Sequence, residues 1–262
     1  MKKIFGLTAI VLLLTSCGSV PLTGRKQLLL LSDTELVSAS LTQYDAFIET
    51  ATLSTDRTKT ATVERVGKRI SEATERYLKQ NGLEKEIANF RWDFKLVKDD
   101  QVNAFCMPGG KIVVFEGLLP LTASDDELAV VIGHEIAHAV AKHSNERMSQ
   151  EVVAQYGAAI LDAALSTKSS AIQTLGNTVF GLGAQVGVML PYSRQHEYEA
   201  DYLGMILMTL AGYNPESAIS FWQKMSAKGS GSGSDFLSTH PSDDKRIAEL
   251  QNRLPEMGKY KN

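Results

Sequence analysis

The sequence predicts an α+β fold that is mainly helical, with a small and mostly antiparallel sheet. A capped apolar helix begins after Ser124, where Glu127 completes a capping box. A second helix is indicated by apolar residues that recur at helical spacing between positions 63 and 77. Residues 91–98 alternate apolar and polar side chains, as a half-buried strand does. A chain of 262 residues with 44% hydrophobic content is sufficient for one domain with its own core.

The remaining elements follow from local signals. Ser32 begins another capping box, so a helix is expected from about 33 to 53. Two short strands, 102–107 and 111–115, flank a Pro-Gly-Gly turn. Further helices are expected in the second half of the chain: 146–165, one around position 197, 216–227 and one that ends near 254.

Residues 1–17 are typical of a secretion signal rather than of a folded segment. Lys2 and Lys3 precede an apolar run that is too short to span a bilayer. The following Leu-Thr-Ser-Cys resembles the bacterial lipobox, which implies cleavage before Cys17 and lipidation of that residue. An ordinary signal peptide with an incidental cysteine is the alternative. The expected organisation is a signal peptide over 1–16, a lipidated tether over 17–31 and a single domain over 32–262.

Charge and cysteine content narrow the possible functions. The net charge of −3 gives no electrostatic basis for binding nucleic acid. Cys106 is the only cysteine besides Cys17, so no intrachain disulfide is expected if Cys17 carries lipid. Cys106 lies in a predicted strand, where we expect a small buried hydrophobic residue rather than a nucleophile.

The helix after Ser124 contains the pattern His-Glu-Ile-Ala-His. Residues four apart on an α-helix share a face, so His134 and His138 aim their imidazoles at one point and can share a metal ion. Glu135 lies about 100° around the helix from His134, where it can flank a metal without binding it. That position suits a general base for a water molecule at the metal. The alternative is a pair of core histidines on a buried helix.

A catalytic zinc site needs a third protein ligand. Glu197 and Asp201 are four residues apart on a predicted helix, so one carboxylate can bind zinc while the other accepts a hydrogen bond from a ligand imidazole. Glu199 competes for the ligand role, but it points about 200° away from Glu197. His143 is about 140° off the face of the metal helix and is expected to be structural or at the surface. His196 is expected at the surface.

These motifs closely resemble, in content and order, those of the gluzincin peptidase family of the CAAX prenyl protease, HtpX, BepA and LoiP. The matching stretches are H-E-I-A-H, S-R-x-x-E-x-E-A-D, T-H-P-x-x-x-x-R-I and VNAFCMPGGKIVVFEG. The resemblance extends from about residue 32 to 254 and implies a zincin-type metallopeptidase with one Zn²⁺ per chain. It implies these site residues: the ligands His134, His138 and Glu197, the base Glu135, and Asp201 as the partner that orients a ligand imidazole.

The resemblance also places two further segments at the cleft. The strand Asn103-Ala104-Phe105 lines the cleft in the family, where a free sheet edge can hold an extended peptide through main-chain hydrogen bonds. Internal strand pairing is the alternative. His240 has two roles open to it: a donor to the oxyanion of the tetrahedral intermediate, or a reversible inhibitor in the open metal position. A purely structural role at a helix start before Pro241 is the third possibility.

Two segments of unusual composition lie near these residues. Residues 171–190 are apolar and almost long enough to span a membrane, but polar residues and glycines interrupt them. A flexible apolar helix or lid near the cleft is therefore favoured. The Gly/Ser stretch 228–234 is typical of a flexible linker and would allow His240 to move.

The sequence therefore predicts a zinc endopeptidase of the bacterial cell envelope, and the resemblance implies that it acts on misfolded or misassembled envelope proteins. The expected partners are unfolded or extended polypeptides and, through the N-terminal lipid, a membrane. Gly18 is not the Asp-type signal for inner-membrane retention, so resemblance to known sorting favours the outer membrane, facing the periplasm. One alternative is a lipid-anchored chaperone or assembly factor with latent protease activity. Another is a structural zinc site with four protein ligands, which would not need Glu135.

Overall fold

The computed structural model describes residues 17–153, 192–228, 236, 240 and 244–261. The predicted signal peptide, residues 171–190 and all but the first residue of the Gly/Ser linker lie outside these ranges. The fold is mainly helical with small sheets, as predicted. In the described part of the chain, no helix has the length and apolarity needed to cross a membrane. The elements are β1 (Cys17–Ser19), β2 (Lys26–Leu28), α1 (Asp33–Thr50), α2 (Arg57–Gln80), α3 (Glu84–Ile87), β3 (Asp93–Val97), β4 (Ala104–Met107), β5 (Lys111–Phe115), a 3₁₀ helix (Glu116–Leu121), α4 (Asp125–Val140), α5 (143–153), α6 (Arg194–Leu210), α7 (Ser217–Lys228), α8 (Asp244–Arg253) and a second 3₁₀ helix (Leu254–Tyr260).

The main sheet has three strands in the order β3-β5-β4, and β4 lies at its edge. β4 and β5 are antiparallel and are joined by the predicted turn, in which Gly109 and Gly110 have φ values of 90° and 84° that favour glycine. β3 pairs with β5 in parallel. The two antiparallel pairings, β1–β2 and β4–β5, therefore accompany one parallel pairing. Alternation of side chains identified β3 as a strand but could not give its direction, which depends on the whole connection between the strands.

The segment predicted to be a tether, residues 17–31, contains a hairpin that packs on the body of the domain. β1 and β2 pair antiparallel, with Gly18 opposite Gln27. Val20, in the loop between them, is 1% exposed and belongs to the main hydrophobic core. Arg25, also in that loop, reaches carboxylates on α5 and α6. The sequence of this segment gives no local sign of the hairpin's contacts, because its partners are distant in the chain.

The two helices that carry the metal motifs pack closely against each other. Gly133 on α4 faces Gly204 on α6, and a Cβ atom on Gly204 would lie 2.9 Å from the backbone nitrogen of His134. Side chains at this crossing would separate the two helices, so glycine allows their close approach. The approach brings the carboxylates of α6 within reach of the imidazoles of α4.

Helix α4 ends at Val140, slightly before the predicted break at 143–145. Lys142 has a left-handed φ of 56°, and α5 begins at 143. The ammonium group of Lys142 holds this turn by contacting Asp33 at 2.6 Å and Glu86 at 2.8 Å. The turn at Lys142 places His143, the first residue of α5, beside His138 of the metal motif.

Candidate metal centre and active site

Four side chains converge in the buried space between α4 and α6. One donor atom from each of His134, His138, Glu197 and His240 lies within 4.8 Å of the others, and all four residues are at most 3% exposed. Burying such a group without a counter-charge is costly, so a cluster of this kind calls for a bound cation or for internal ion pairs. The donor set suits a cation, and Arg246 forms an ion pair with Glu197.

The three ligands implied by the resemblance bring their donor atoms within 3.5 Å of one another. The Nε2 atoms of His134 and His138 are 3.0 Å apart. The two carboxylate oxygens of Glu197 lie 3.4 Å from His134 Nε2 and 3.5 Å from His138 Nε2. Ligands at the usual zinc distances are separated by about 3.3–3.6 Å in a tetrahedral site, a range that includes both carboxylate separations, whereas the two imidazole nitrogens lie slightly closer together. Two imidazole nitrogens and one carboxylate are also a common catalytic zinc set, so these residues fit the ion.

His240 points at the same position as the three other donors. Its Nδ1 atom lies 3.1 Å from His134 Nε2 and 3.1 Å from Glu197 Oε2. Its Nε2 atom lies 3.4 Å from Oε1 of Glu135. In this conformation His240 therefore stands where a fourth ligand would stand, between the metal position and Glu135. A helix-start role alone does not account for this placement, since the two ring nitrogens face the metal cluster and Glu135.

Asp201 holds His134 in one orientation. Its Oδ1 atom lies 2.9 Å from Nδ1 of the imidazole. A proton on Nδ1 is donated to the carboxylate, which leaves Nε2 free to face Glu197 and a metal. The spacing of Glu197 and Asp201 on one helix predicts that one of the two carboxylates accepts such a hydrogen bond, and the resemblance implies that this carboxylate is Asp201.

Arg246 is a residue of this site to which the sequence alone assigned no role. Its guanidinium donates to both oxygens of Asp201, at 2.7 Å each, and lies 3.1 Å from Glu197 Oε2. It also donates to the carbonyl of His240 at 3.2 Å and lies over the ring of Trp222, 3.7 Å from its centroid. Arg246 was visible as the arginine of T-H-P-x-x-x-x-R-I. Spacing within α8 could not indicate that its partners lie on α6.

His143 contacts the second imidazole of the motif. Its Nδ1 atom lies 2.9 Å from Nδ1 of His138, and its Nε2 atom lies 3.1 Å from Glu199 Oε2. His143 is completely buried and points away from the metal position, in agreement with the expectation that it is structural. Glu199 is occupied by His143, Arg25 and Thr23 rather than by the metal cluster.

The prediction that His196 lies at the surface was wrong. The residue is 2% exposed, and its Nε2 atom lies 3.0 Å from Glu146 Oε2. Its ring stacks on that of His143, with centroids 4.5 Å apart. The prediction considered only the faces of α6, whereas α5 supplies both contacts.

Glu135 has the environment of a general base. It is buried beside His240 and accepts a hydrogen bond from the backbone of Cys106. Burial raises the pKa of its carboxyl above the ordinary value, despite the opposing effects of His240 and His134. Its Oε1 atom has no hydrogen-bond partner in the described part of the structure. A carboxylate that binds a proton more readily than usual is suited to accept and return one during a reaction.

The carboxylates next to the metal position remain ionised at neutral pH. Burial opposes the ionisation of Glu197, but His240 and Arg246 beside it hold its pKa well below the usual value. Burial likewise opposes the ionisation of Asp201, and Arg246 together with His134 lowers its pKa. Ionised carboxylates are what a divalent cation requires of its surroundings.

The imidazoles differ in their protonation. Burial lowers the pKa of His138 well below its usual value and that of His143 to about 4, so both are neutral at neutral pH. Burial also acts to lower the pKa of His134, but its hydrogen bonds to Asp201 and Glu197 outweigh this effect and raise it to about 9. A metal ion at this position would therefore displace a proton from His134.

Strand β4 lies beside helix α4. The three residues predicted to bind substrate, Asn103, Ala104 and Phe105, differ in their contacts. The N–H of Ala104 donates to the side chain of Asn103 at 2.9 Å. Phe105 packs its ring into a second core cluster with Phe47 and Phe115, and it pairs with Val113 of β5. The structure therefore brings the backbone of this strand to the site but not the side chain of Phe105.

The segment that carries His240 is also attached near this strand. The N–H of Phe236 donates to the carbonyl of Val102 at 2.9 Å, and the N–H of His240 donates to the carbonyl of Phe236 at 2.7 Å. These bonds tie the position of His240 to the residues that precede β4.

A mainly helical domain in which a His-Glu-x-x-His helix and a second, Glu-bearing helix converge on one metal position defines the class of zincin-type metallopeptidases. Comparison with known protein families agrees with this class. The chain belongs to peptidase family M48, whose family model matches residues 35–254. Zinc is the metal of this family.

Individual relatives come from mitochondria and from bacteria. The chain is 38% identical over 172 residues to mitochondrial metalloendopeptidase OMA1 of Schizosaccharomyces pombe, an alignment that covers 65% of this chain and 49% of that protein. It is 29% identical over 259 residues to OMA1 of Homo sapiens, covering 96% and 48% of the two chains. It is 31% identical over 171 residues to the beta-barrel assembly-enhancing protease of Yersinia pestis, covering 63% and 35%. The chain thus spans about half of these two OMA1 proteins and about a third of the bacterial protein.

Proposed function

We propose that this chain is a zinc-dependent endopeptidase that cleaves unfolded or extended polypeptides. The observation that carries this proposal is the convergence of His134, His138 and Glu197, with Glu135 beside them. Zinc, when bound, supplies a Lewis acid that polarises a carbonyl and makes water more acidic. Membership of family M48, and relatives named as endopeptidases, support the same activity.

In this proposal the protein residues divide the remaining work. Glu135 takes a proton from the attacking water and returns it to the leaving amine, for which its raised pKa is suited. Asp201 and Arg246 keep the imidazole of His134 and the carboxylate of Glu197 in place. The backbone of Ala104 pairs with an extended substrate, because β4 is an edge strand beside α4, whereas the carbonyl of Asn103 already accepts a hydrogen bond from the N–H of Phe115 in β5. Substrate binding then requires the Asn103 side chain to release the N–H of Ala104.

We further propose that the enzyme is latent in the conformation described above. His240 fills the position of a fourth ligand and separates Glu135 from the metal position. A substrate or partner that moves the segment around His240 would open the site. A closed structural zinc site would use the same four donors, but it gives no reason for the buried carboxylate of Glu135 beside them, whose Oε1 atom has no hydrogen-bond partner in the described residues.

Replacing His240 by alanine is expected to increase the cleavage of unfolded casein by at least about tenfold, because the fourth position becomes open to water and substrate. The full-length chain is purified in detergent, its zinc content is measured, and initial rates are compared with those of the unaltered protein. The variant His240→Ala with Glu135→Gln must be inactive if the activity belongs to this site. If neither the unaltered protein nor His240→Ala cleaves casein although zinc is bound, the chaperone or assembly-factor alternative replaces the proposal. A decrease in rate would instead support the role of His240 as a donor to the oxyanion.

We also propose that the enzyme resides in the bacterial cell envelope, anchored by lipid on Cys17 and facing the periplasm from the outer membrane, where it removes misfolded or misassembled proteins. Two observations support this location. The sequence ends its N-terminal apolar run with Leu-Thr-Ser-Cys. Bacterial relatives are named as beta-barrel assembly-enhancing proteases. The division into a signal peptide over 1–16 and a mature protein from Cys17 is part of the same proposal.

Replacing Cys17 by serine is expected to shift the protein out of the membrane fraction, because the residue that would carry lipid is lost. Fractionation of the cells and the mass of the mature N-terminal peptide are the measurements. Cys106→Ser is the matched control, since it removes the other cysteine and leaves the N-terminus unchanged. The lipid anchor would be contradicted if Cys17→Ser stayed in the membrane fraction and if the mature N-terminal peptide of the unaltered protein carried no lipid.

A further inference from the structure

The N-terminal hairpin inserts one arginine behind the metal site. Arg25 donates through Nε to Oε2 of Glu199 at 2.7 Å. Its two terminal nitrogens donate to the two oxygens of Glu146, at 2.8 and 2.6 Å. Both glutamates are less than 9% exposed, so little water reaches their carboxylates. The guanidinium of Arg25 and the neighbouring imidazoles supply hydrogen bonds in place of water. Arg25 thus joins the loop before β2 to α5 and α6.

Each of these glutamates holds a buried histidine. Glu199 lies 3.1 Å from Nε2 of His143, and Glu146 lies 3.0 Å from Nε2 of His196. The two histidine rings stack on each other. Arg25 therefore connects two glutamate–histidine pairs. One branch, Glu199–His143, continues to His138 of the metal motif.

The hydrogen bonds along that branch have only one consistent direction if His138 binds metal through Nε2. Its proton must then be on Nδ1, which donates to Nδ1 of His143, 2.9 Å away. His143 consequently carries its own proton on Nε2 and donates it to Glu199. Glu199 also accepts from Arg25, which fixes the carboxylate in place. Every donor in the series meets an acceptor.

We propose that Arg25 is a positioning residue for the metal site. It fixes Glu199, Glu199 fixes His143, and His143 holds the imidazole of His138 in the tautomer and orientation that a metal needs. Arg246 and Asp201 do the same for His134 from the opposite side of the cluster. The inference rests on the proposed role of His138 as a ligand. It makes the hairpin that follows Cys17 a structural part of the metal site.

The affinity of the full-length chain for zinc tests this inference, measured by competition with a chromogenic chelator. A direct partner of a ligand imidazole contributes about 10- to 100-fold to metal affinity. Arg25 acts through two intervening residues, so Arg25→Ala is expected to weaken zinc binding by about 3- to 10-fold. Lys26→Ala is the matched control, because Lys26 is the next residue, carries the same charge, is exposed and donates from its ammonium group to the side chain of Ser19. Lys26→Ala is expected to leave the affinity unchanged.

A double-mutant cycle separates positioning from a general loss of stability. His143→Leu interrupts the branch, so Arg25→Ala should weaken zinc binding no further in that background. If His143→Leu does not fold, Glu199→Gln provides the second background. In Co²⁺-loaded protein, Arg25→Ala should shift the visible absorption bands of the metal, and Arg25→Lys should restore them in part. These signals report on ligand geometry rather than on folding.

The possible outcomes distinguish this inference from the proposed function. An unaltered protein that binds no zinc would contradict the proposed function itself. An unaltered protein that binds zinc, with Arg25→Ala equal to Lys26→Ala, would overturn only the positioning role. Equal weakening by Arg25→Ala with and without His143 would also overturn it, since the effect would then reach the metal by another route.

Discussion

The variant Glu135→Gln is expected to bind zinc but to lose peptide cleavage by about 100- to 10,000-fold, the usual contribution of a general base. Glutamine has nearly the same shape, and Glu135 is not among the residues whose donor atoms converge on the metal position. The glutamine amide, however, cannot take a proton from water. Zinc content per chain and the rate of casein cleavage are measured together, in the His240→Ala background if the unaltered protein is latent.

Glu127→Gln is the matched control for this experiment. Glu127 lies on the same helix, where its carboxylate accepts hydrogen bonds from the backbone of Ala123 and from Lys224, remote from the metal position. Its replacement is expected to leave both zinc content and cleavage unchanged. Retained cleavage by Glu135→Gln would remove Glu135 from the proposed role, whereas loss of zinc would mean that Glu135 supports the metal site itself.

The parts of the site that lie within one helix could be predicted from the sequence. Positions four apart on a helix share a face whatever surrounds them, so His134 and His138 form a pair, and so do Glu197 and Asp201. Helix ends were equally accessible, because the side chain of Ser124 caps the backbone N–H of Glu127 through a purely local bond. Local geometry determines these features, and short sequence patterns report local geometry.

The contacts that connect separate elements could not be predicted in this way. Arg25 and Arg246 reach their carboxylates from opposite ends of the chain, and nothing in their own neighbourhoods indicates a partner. His196 was assigned to the surface for the same reason. The parallel pairing of β3 with β5 also depends on how the intervening chain returns. An arginine in an apparent linker gives no local signal that it is buried against two glutamates.

The close crossing of Gly133 and Gly204 explains how the two pairs that spacing predicted, one on each helix, come to lie next to each other. Two helices that approach this closely leave no room for side chains between them at the crossing. The next turns on each helix must then face each other, and these turns carry the imidazoles and the carboxylates. The sequence contained both glycines, but only the fold relates them to each other.

Arg246→Ala is expected to lower the free energy of unfolding by about 3–5 kcal/mol, because it leaves buried carboxylates without their positive partner. Asp201 accepts two hydrogen bonds from this guanidinium, and Glu197 lies 3.1 Å from it. Urea denaturation of the metal-free protein, monitored by circular dichroism, measures the change. Arg253→Ala is the control, since Arg253 lies on the same helix and pairs with Glu256 at the surface, where a loss of at most about 1 kcal/mol is expected.

The same variant provides a second test when zinc is present. Arg246 keeps the carboxylate of Glu197 and, through Asp201, the imidazole of His134 in place, so its loss should weaken zinc binding and the destabilisation should be larger in saturating zinc than in its absence. For Arg253→Ala, zinc should make no difference. If Arg246→Ala unfolds as readily with zinc as without it, while the unaltered protein is stabilised by zinc, then the arginine is needed to form the site rather than only to balance its charge. Destabilisation no larger than that of Arg253→Ala would show that Glu197 and Asp201 do not depend on Arg246.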